Sequence, residues 1–176
     1  MHSPSRVIGC QAPAGLPMRA MLEVLESFPG LSHRSAWVAE IAGVRFYNDS
    51  KATSVDAAMK ALDSFAGNLW VILGGKDKGS DYTPLRDRLH QKARAALLIG
   101  SAAAKIASQI EGATKVIRAD TLECAVADAW KNSQPGDTVL LAPACSSFDQ
   151  FQSYEHRGRV FKDLVNGLQT KNGATA

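Results

Sequence analysis

Apolar residues along this chain fall into two alternating patterns, segments at helical spacing followed by short unbroken runs. The run Leu69-Trp70-Val71-Ile72-Leu73 has no polar alternation, as expected of a strand buried on both faces of a parallel sheet. Before it, Val55, Ala58, Met59, Leu62 and Phe65 recur on one helix face, and Gly67-Asn68 closes that helix. The alternation then repeats. It predicts a helix from about Pro84 to Lys92, a strand over Ala95–Ile99, a helix from about Ala102 to Gln109 and a strand at Lys115-Val116-Ile117. Asp120, with Glu123 three residues on, reads as a capping box for a helix whose apolar face is Leu122, Ala125, Val126, Ala129 and Trp130. Pro135-Gly136-Asp137 turns into a strand over Thr138–Ala142, and a last helix carries Val160, Phe161, Leu164, Val165 and Leu168.

Upstream of the repeats, Ala36–Ile41 and Val44–Tyr47 read as two strands of a hairpin joined at Ala42-Gly43. Residues 1 to about 16 carry Pro and Gly without periodicity, and Pro17 opens a helix to about Phe28 that Pro29-Gly30 stops. The expected fold is α/β: a doubly wound, mostly parallel sheet with right-handed crossovers and an antiparallel N-terminal hairpin strand. Residues 1–30 read as the tail of a preceding domain, 31–170 as one α/β domain, and 171–176 as a frayed tail.

Composition narrows the class of function. The formal net charge is +3, and no stretch concentrates Lys and Arg among aromatics, which argues against a nucleic-acid surface. Cys10, Cys124 and Cys145 are odd in number and lack Cys-x-x-Cys spacing. That pattern fits a reducing compartment better than a disulfide framework or a zinc site, and no other cluster has metal-ligand spacing. Apolar runs are too short to span a bilayer, and the first residues lack a secretory core. No membrane partner is expected, and the default location is cytoplasmic.

Three polar loops carry the candidate chemistry, each at the end of an expected strand. The first is Tyr47-Asn48-Asp49-Ser50-Lys51-Ala52-Thr53, the second Gly74-Gly75-Lys76-Asp77-Lys78-Gly79-Ser80-Asp81, and the third Pro143-Ala144-Cys145-Ser146-Ser147-Phe148-Asp149. In open α/β sheets, ligands bind outside the carboxyl ends of the strands. A carboxylate at Asp49 suits sugar hydroxyls, and Lys51 and Thr53 suit an anion at a helix N-terminus. The bland reading makes Asp49 or Ser50 a helix cap and leaves Lys51 in solvent. The glycine-bracketed loop around Lys78 matches neither a dinucleotide fingerprint nor a Walker A loop, and its bland reading is a flexible surface loop. Ser146 and Ser147 suit a carboxylate, or else a capped turn. None of the four histidines stands in a motif that marks a base for Cys145. Arg34, beside His33, offers a permanently charged fork to a phosphate.

Taken together, these segments resemble the C-terminal domain of the Mur ligase family, in its D-glutamate-adding branch. The matching pieces are Gly30-Leu31-Ser32-His33-Arg34, the Tyr47–Thr53 run, Gly74-Gly75-x-x-Lys78-Gly79-x-Asp81, and Pro143 through Phe151. The resemblance covers about Leu16 to Leu168. It implies an ATP- and magnesium-dependent ligase that joins D-glutamate to UDP-N-acetylmuramoyl-L-alanine in peptidoglycan synthesis. By the same resemblance, Arg34, Asp49 and Lys51 face the nucleotide, ATP or ADP, with Asp49 on ribose. Thr53, Lys78, Ser147, Phe148 and Tyr154 surround D-glutamate, and Lys78 and Ser147 position it for reaction.

The sequence departs from the family twice. Ser54 stands where the family usually has Asn, and no Gly-x-x-Gly-Lys-Thr/Ser phosphate loop occurs in the chain. The expectation is a ligase fragment that does not turn over alone, with the phosphate loop and most metal ligands elsewhere. The alternative is a stand-alone nucleotide- or amino-acid-binding module that kept the fold and lost the reaction.

Overall fold

The alternation of helix-spaced and continuous apolar segments produces a parallel sheet with helices on both faces. The structure, a computed structural model, describes residues 35–173. The predicted helix over Pro17–Phe28, the domain tail over 1–30, and the candidate residue Arg34 lie outside the described residues. The strands are β1 (Ala36–Ile41), β2 (Val44–Asn48), β3 (Leu69–Gly74), β4 (Ala93–Ile99), β5 (Lys115–Asp120) and β6 (Thr138–Leu141). The helices are α1 (Val55–Asp63), α2 (Arg86–Lys92), α3 (Ala103–Gln109), α4 (Leu122–Asn132) and α5 (Tyr154–Gly173).

The strands lie in the order β1-β2-β6-β3-β4-β5, with β1 antiparallel to β2 and the other pairs parallel. From β2 through β5 the chain steps in one direction, and from β5 it returns to place β6 between β2 and β3. Crossovers of constant hand then put α1, α2 and α3 on one face and α4 on the other. The core residues divide accordingly. Leu69, Val71 and Leu73 pack with Leu62 of α1, Leu89 of α2 and Ile106 of α3. Trp70 and Ile72 pack with Val126 of α4 and Phe161 of α5. The run that looked unpatterned in sequence thus keeps a period of two, with an apolar partner on each side.

Ala42 and Gly43 have φ of 47° and 79°, as a two-residue hairpin turn with the twist of its strands requires. Gly43 also has no room for a side chain, since a Cβ there would lie 2.9 Å from Pro135 Cβ. The same end of the sheet is tied by Asp137, a buried carboxylate. It accepts from Trp70 Nε1 at 3.0 Å and from Arg94 Nε at 2.8 Å.

One helix start and two strand ends differ from expectation. The cap of α4 is Thr121, whose hydroxyl accepts from the Cys124 amide, and not Asp120. Asp120 is occupied as the last residue of β5, at φ 61°, where its carbonyl accepts from Gly100 N. β5 accordingly extends three residues beyond the expected Ile117, while β6 ends at Leu141, one short of Ala142.

Candidate functional site

The strand order changes direction at β6, and the loops leaving β2, β3 and β6 meet there at the carboxyl edge of the sheet. Open α/β sheets form a ligand crevice at such a point. The first loop continues the alternation of β2. Asn48 is buried, donating from Nδ2 to the Gly158 carbonyl at 2.9 Å and accepting from the Ser50 amide at 3.0 Å. Ser50 is buried too, its hydroxyl donating to the Tyr154 carbonyl at 2.8 Å. The intervening residues Asp49 and Lys51 line one cavity, and Thr53 lines another. Asp49 is 6% exposed and accepts from the Ser35 hydroxyl at 3.0 Å.

The bland capping reading falls on a different residue from the one expected. Ser54, at φ −134° and ψ 159°, caps α1 by accepting from the Ala57 amide at 3.3 Å. Neither Asp49 nor Ser50 caps it, because a three-residue bend intervenes, closed by Ala52 N to Asp49 O and Thr53 N to Lys51 O. Lys51 is exposed, and its Nζ stands 5.7 Å from the centre of the Tyr154 ring.

The glycine-rich loop after β3 is pinned rather than flexible. At Gly74 and Gly75, with φ of 119° and 134°, an added Cβ would run into the Ile99 and Ser146 carbonyl groups respectively. Lys76 pairs with Ser146 through a backbone bridge, its amide donating at 2.9 Å. Asp77 Oδ1 then accepts from the amides of Gly79 and Ser80 and from the Tyr82 hydroxyl, while Oδ2 holds Lys105 Nζ at 2.9 Å. The hydrogen bond from Lys105, joined by that from Tyr82, holds the Asp77 carboxyl at about 2, well below the ordinary value. Lys78 projects from the turn that Asp77 closes.

Behind the third loop lies Cys145, buried, its sulfur 3.0 Å from the Tyr82 oxygen. An ionised carboxylate only accepts, so Tyr82 donates to Asp77 and the thiol donates to Tyr82. Burial raises the pKa of Cys145 above that of a free thiol. With no histidine beside it among the described residues, the geometry there gives no support to a nucleophilic role. Ser146 and Ser147 are buried at the cavity wall, and Phe148 is 65% exposed at its rim. Ser153 caps α5, its hydroxyl accepting from the His156 amide at 3.2 Å and its carbonyl from the Arg157 amide.

The structure brings Thr53, Lys78, Ser147, Phe148 and Tyr154 around one cavity of about 250 Å³. Asp49 and Lys51 line a neighbouring one of about 450 Å³, with Ser35, Ser54 and Lys60. Arg34 lies outside the described residues. Sequence reasoning missed Asp77, Tyr82, Ser153 and Arg157. Arg157 did leave a trace, because it sits three and four residues before Val160 and Phe161, on the apolar stripe of α5. Among the described residues, no three His, Cys, Asp or Glu side chains gather as a metal site. No described helix is long and apolar enough to cross a membrane.

A doubly wound α/β sheet with two cavities at its switch point is the arrangement in which such sheets take small ligands. The chain belongs to the family described as Mur ligase, glutamate ligase domain, whose profile matches residues 33–145. It is 61% identical over 159 residues to the UDP-N-acetylmuramoylalanine–D-glutamate ligase of Solibacter usitatus, covering 90% of this chain and 36% of that relative. With the enzyme of the same name from Acidobacterium capsulatum it shares 55% over 152 residues, 86% of this chain and 33% of the relative. The chain therefore spans about a third of the length of these curated relatives. Solved structures show the same fold at low identity. The bifunctional folylpolyglutamate synthase/dihydrofolate synthase of Yersinia pestis matches at TM-score 0.61 and 17% identity, over 85% of this chain and 35% of that one. The MurF ligase of Thermotoga maritima, in complex with ADP, matches at 0.51 and 17%, over 85% and 36%.

Proposed function

We propose that this chain is the amino-acid-binding domain of an ATP-dependent ligase that adds D-glutamate to UDP-N-acetylmuramoyl-L-alanine. The observation that carries the reading is the single cavity shared by Thr53, Lys78, Ser147, Phe148 and Tyr154. Its volume of about 250 Å³ lies below the range of drug-sized pockets and suits one amino acid. The names of the relatives support D-glutamate as that amino acid.

On this reading, Lys78 pairs its ammonium with one carboxylate of D-glutamate, and the hydroxyls of Thr53 and Ser147 donate to the other. The first turn of α5, at Tyr154, adds its outward amides and positive dipole end. Phe148 forms an apolar rim. Asp49 accepts from ribose hydroxyls of the nucleotide, and Lys51, between the two cavities, faces its phosphates. The reaction assigned to the whole enzyme starts with transfer of the ATP γ-phosphoryl group to the free carboxylate, releasing ADP. The amine of D-glutamate then attacks the acyl carbon, and the tetrahedral intermediate expels phosphate as the amide forms. This domain contributes the held amine geometry, which converts a bimolecular attack into one between positioned groups. Among the described residues no three His, Cys, Asp or Glu side chains gather to hold magnesium. Turnover also needs a phosphate loop, and none occurs in residues 1–176. We expect this chain alone to bind without turning over.

The test is a titration of the isotope-labelled chain with D-glutamate, L-glutamate and magnesium-ADP, followed by backbone amide shifts. Saturable shifts with D-glutamate only, at Thr53, Lys78 and Ser147, and their loss in Lys78→Ala or Ser147→Ala with the fold retained, support the reading. Equal response to both enantiomers, or unchanged binding in both variants, counts against it.

A further inference from the structure

We propose that Arg157 is a positioning residue for the ligand cavity, fixing the loops after β2 and β6 against the start of α5 through its planar guanidinium. The inference rests on the amino-acid site proposed above. Arg157 is fully buried at the switch point. Its Nε donates to the Ser50 hydroxyl at 2.9 Å and its Nη2 to the Ser50 carbonyl at 2.9 Å. Nη1 and Nη2 both donate to the Cys145 carbonyl, at 3.3 and 3.2 Å. Ser50 passes the contact on, since the hydroxyl that accepts from Arg157 donates to the Tyr154 carbonyl. The loop after β3 also closes on this group, for a Cβ added to Gly75 would sit 3.2 Å from Nη1.

These contacts are too directional to be packing alone. None of the four goes to a carboxylate, so burial of the cation is not offset by a close ion pair. Desolvation lowers its pKa to about 10, although the charge of the Asp149 carboxylate acts the other way. A buried charge hydrogen-bonded only to neutral oxygens is a poor source of stability compared with an apolar side chain. What it supplies is a rigid fork that reaches two loops at once. The residues assigned to the ligand are short steps from those anchors in sequence. Thr53 is three residues from Ser50, Ser147 two from Cys145, and Tyr154 three from Arg157.

Arg157→Lys keeps the charge and removes the fork, and Ser50→Ala removes only the hydroxyl link and serves if the lysine variant does not fold. In a variant folded by circular dichroism, amides of residues 49–53 and 145–148 should exchange faster while those of β3 and β4 do not. Affinity for D-glutamate should fall about tenfold at a temperature where both chains are fully folded. Uniform destabilisation without a change in affinity, or loop exchange as slow as in the unaltered chain, would overturn the proposal. If the unaltered chain does not bind D-glutamate, the amino-acid reading fails by itself, and loop exchange still decides whether Arg157 fixes the two loops.

Discussion

Tyr82 and Cys145 meet hydroxyl to thiol at 3.0 Å, joining the segment after the glycine-rich loop to the strand end behind Ser146 and Ser147. The contact is buried, and Tyr82 completes it by donating to Asp77 at 2.9 Å. Tyr82→Phe removes one hydroxyl and leaves the Cys145 thiol without its acceptor. It should destabilise the fold by about 1–3 kcal/mol, the usual consequence of stranding a buried hydrogen-bonding group. Denaturant melts of the two proteins measure it, and an unchanged midpoint would show that the thiol and hydroxyl contribute nothing.

Acid should loosen the Lys78 loop before it unfolds the sheet. The carboxyl of Asp77 is lowered from 3.8 to about 2 in the folded protein. A carboxyl lowered by folding stabilises above its unfolded pKa, and that contribution disappears as pH falls through the folded value. Asp63, paired with Arg88, and Asp81, bonded to Thr83, are lowered in the same direction. Asp77→Asn keeps an oxygen for Gly79, Ser80 and Tyr82 but loses the charge that holds Lys105. The gap in Tm between the parent and Asp77→Asn should therefore be widest above roughly pH 4 and close as pH falls toward 2. A gap independent of pH would assign the effect of Asp77 to shape and not to charge.

The fold was legible because its signals are local. Leu62 and Leu69 lie on opposite sides of Gly67-Asn68 and already show helix period on one side and a two-faced apolar run on the other. Thr53 and Ser147 were legible as loop residues suited to an anion, but only the resemblance joined them with Lys78 around one amino acid. What holds them was hidden for a physical reason. Arg157 reaches Ser50 across 107 positions and Cys145 across 12, and no periodicity encodes such a contact. Ser54 was visible as a departure from the family pattern, while its role as the α1 cap depends on a bend at Asp49–Thr53 that no spacing rule foretells.

Gly74 and Gly75 should be the least replaceable residues of the glycine-rich loop. Both have positive φ, and at both an added Cβ meets a backbone carbonyl that cannot turn aside. Gly74→Ala combines overpacking of roughly 1–3 kcal/mol with an unfavourable backbone region of about 1–2 kcal/mol. A total near 3 kcal/mol or more should leave it poorly folded. Gly75→Ala pushes on Ser146 and should widen the cavity as well as weaken the fold. Expression yield and Tm check the first claim, and the amide shifts of Ser146 and Ser147 check the second.

Ser54 offers a conservative test of the capping assignment at the mouth of the Asp49 crevice. Its hydroxyl accepts the Ala57 amide, and its backbone already has the extended conformation a cap requires. Asn is an equally good cap, while Ala has no oxygen to offer. Ser54→Asn, which restores the residue the family usually carries, should change stability by less than about 0.5 kcal/mol. Ser54→Ala should cost about 1 kcal/mol. Both are measured by denaturant unfolding. If Ser54→Asn also tightens magnesium-ADP binding, the serine marks a local loss in the crevice proposed for the nucleotide. Unchanged binding would mean that the position serves only to start α1 and that Asp49 and Lys51 define the crevice without it.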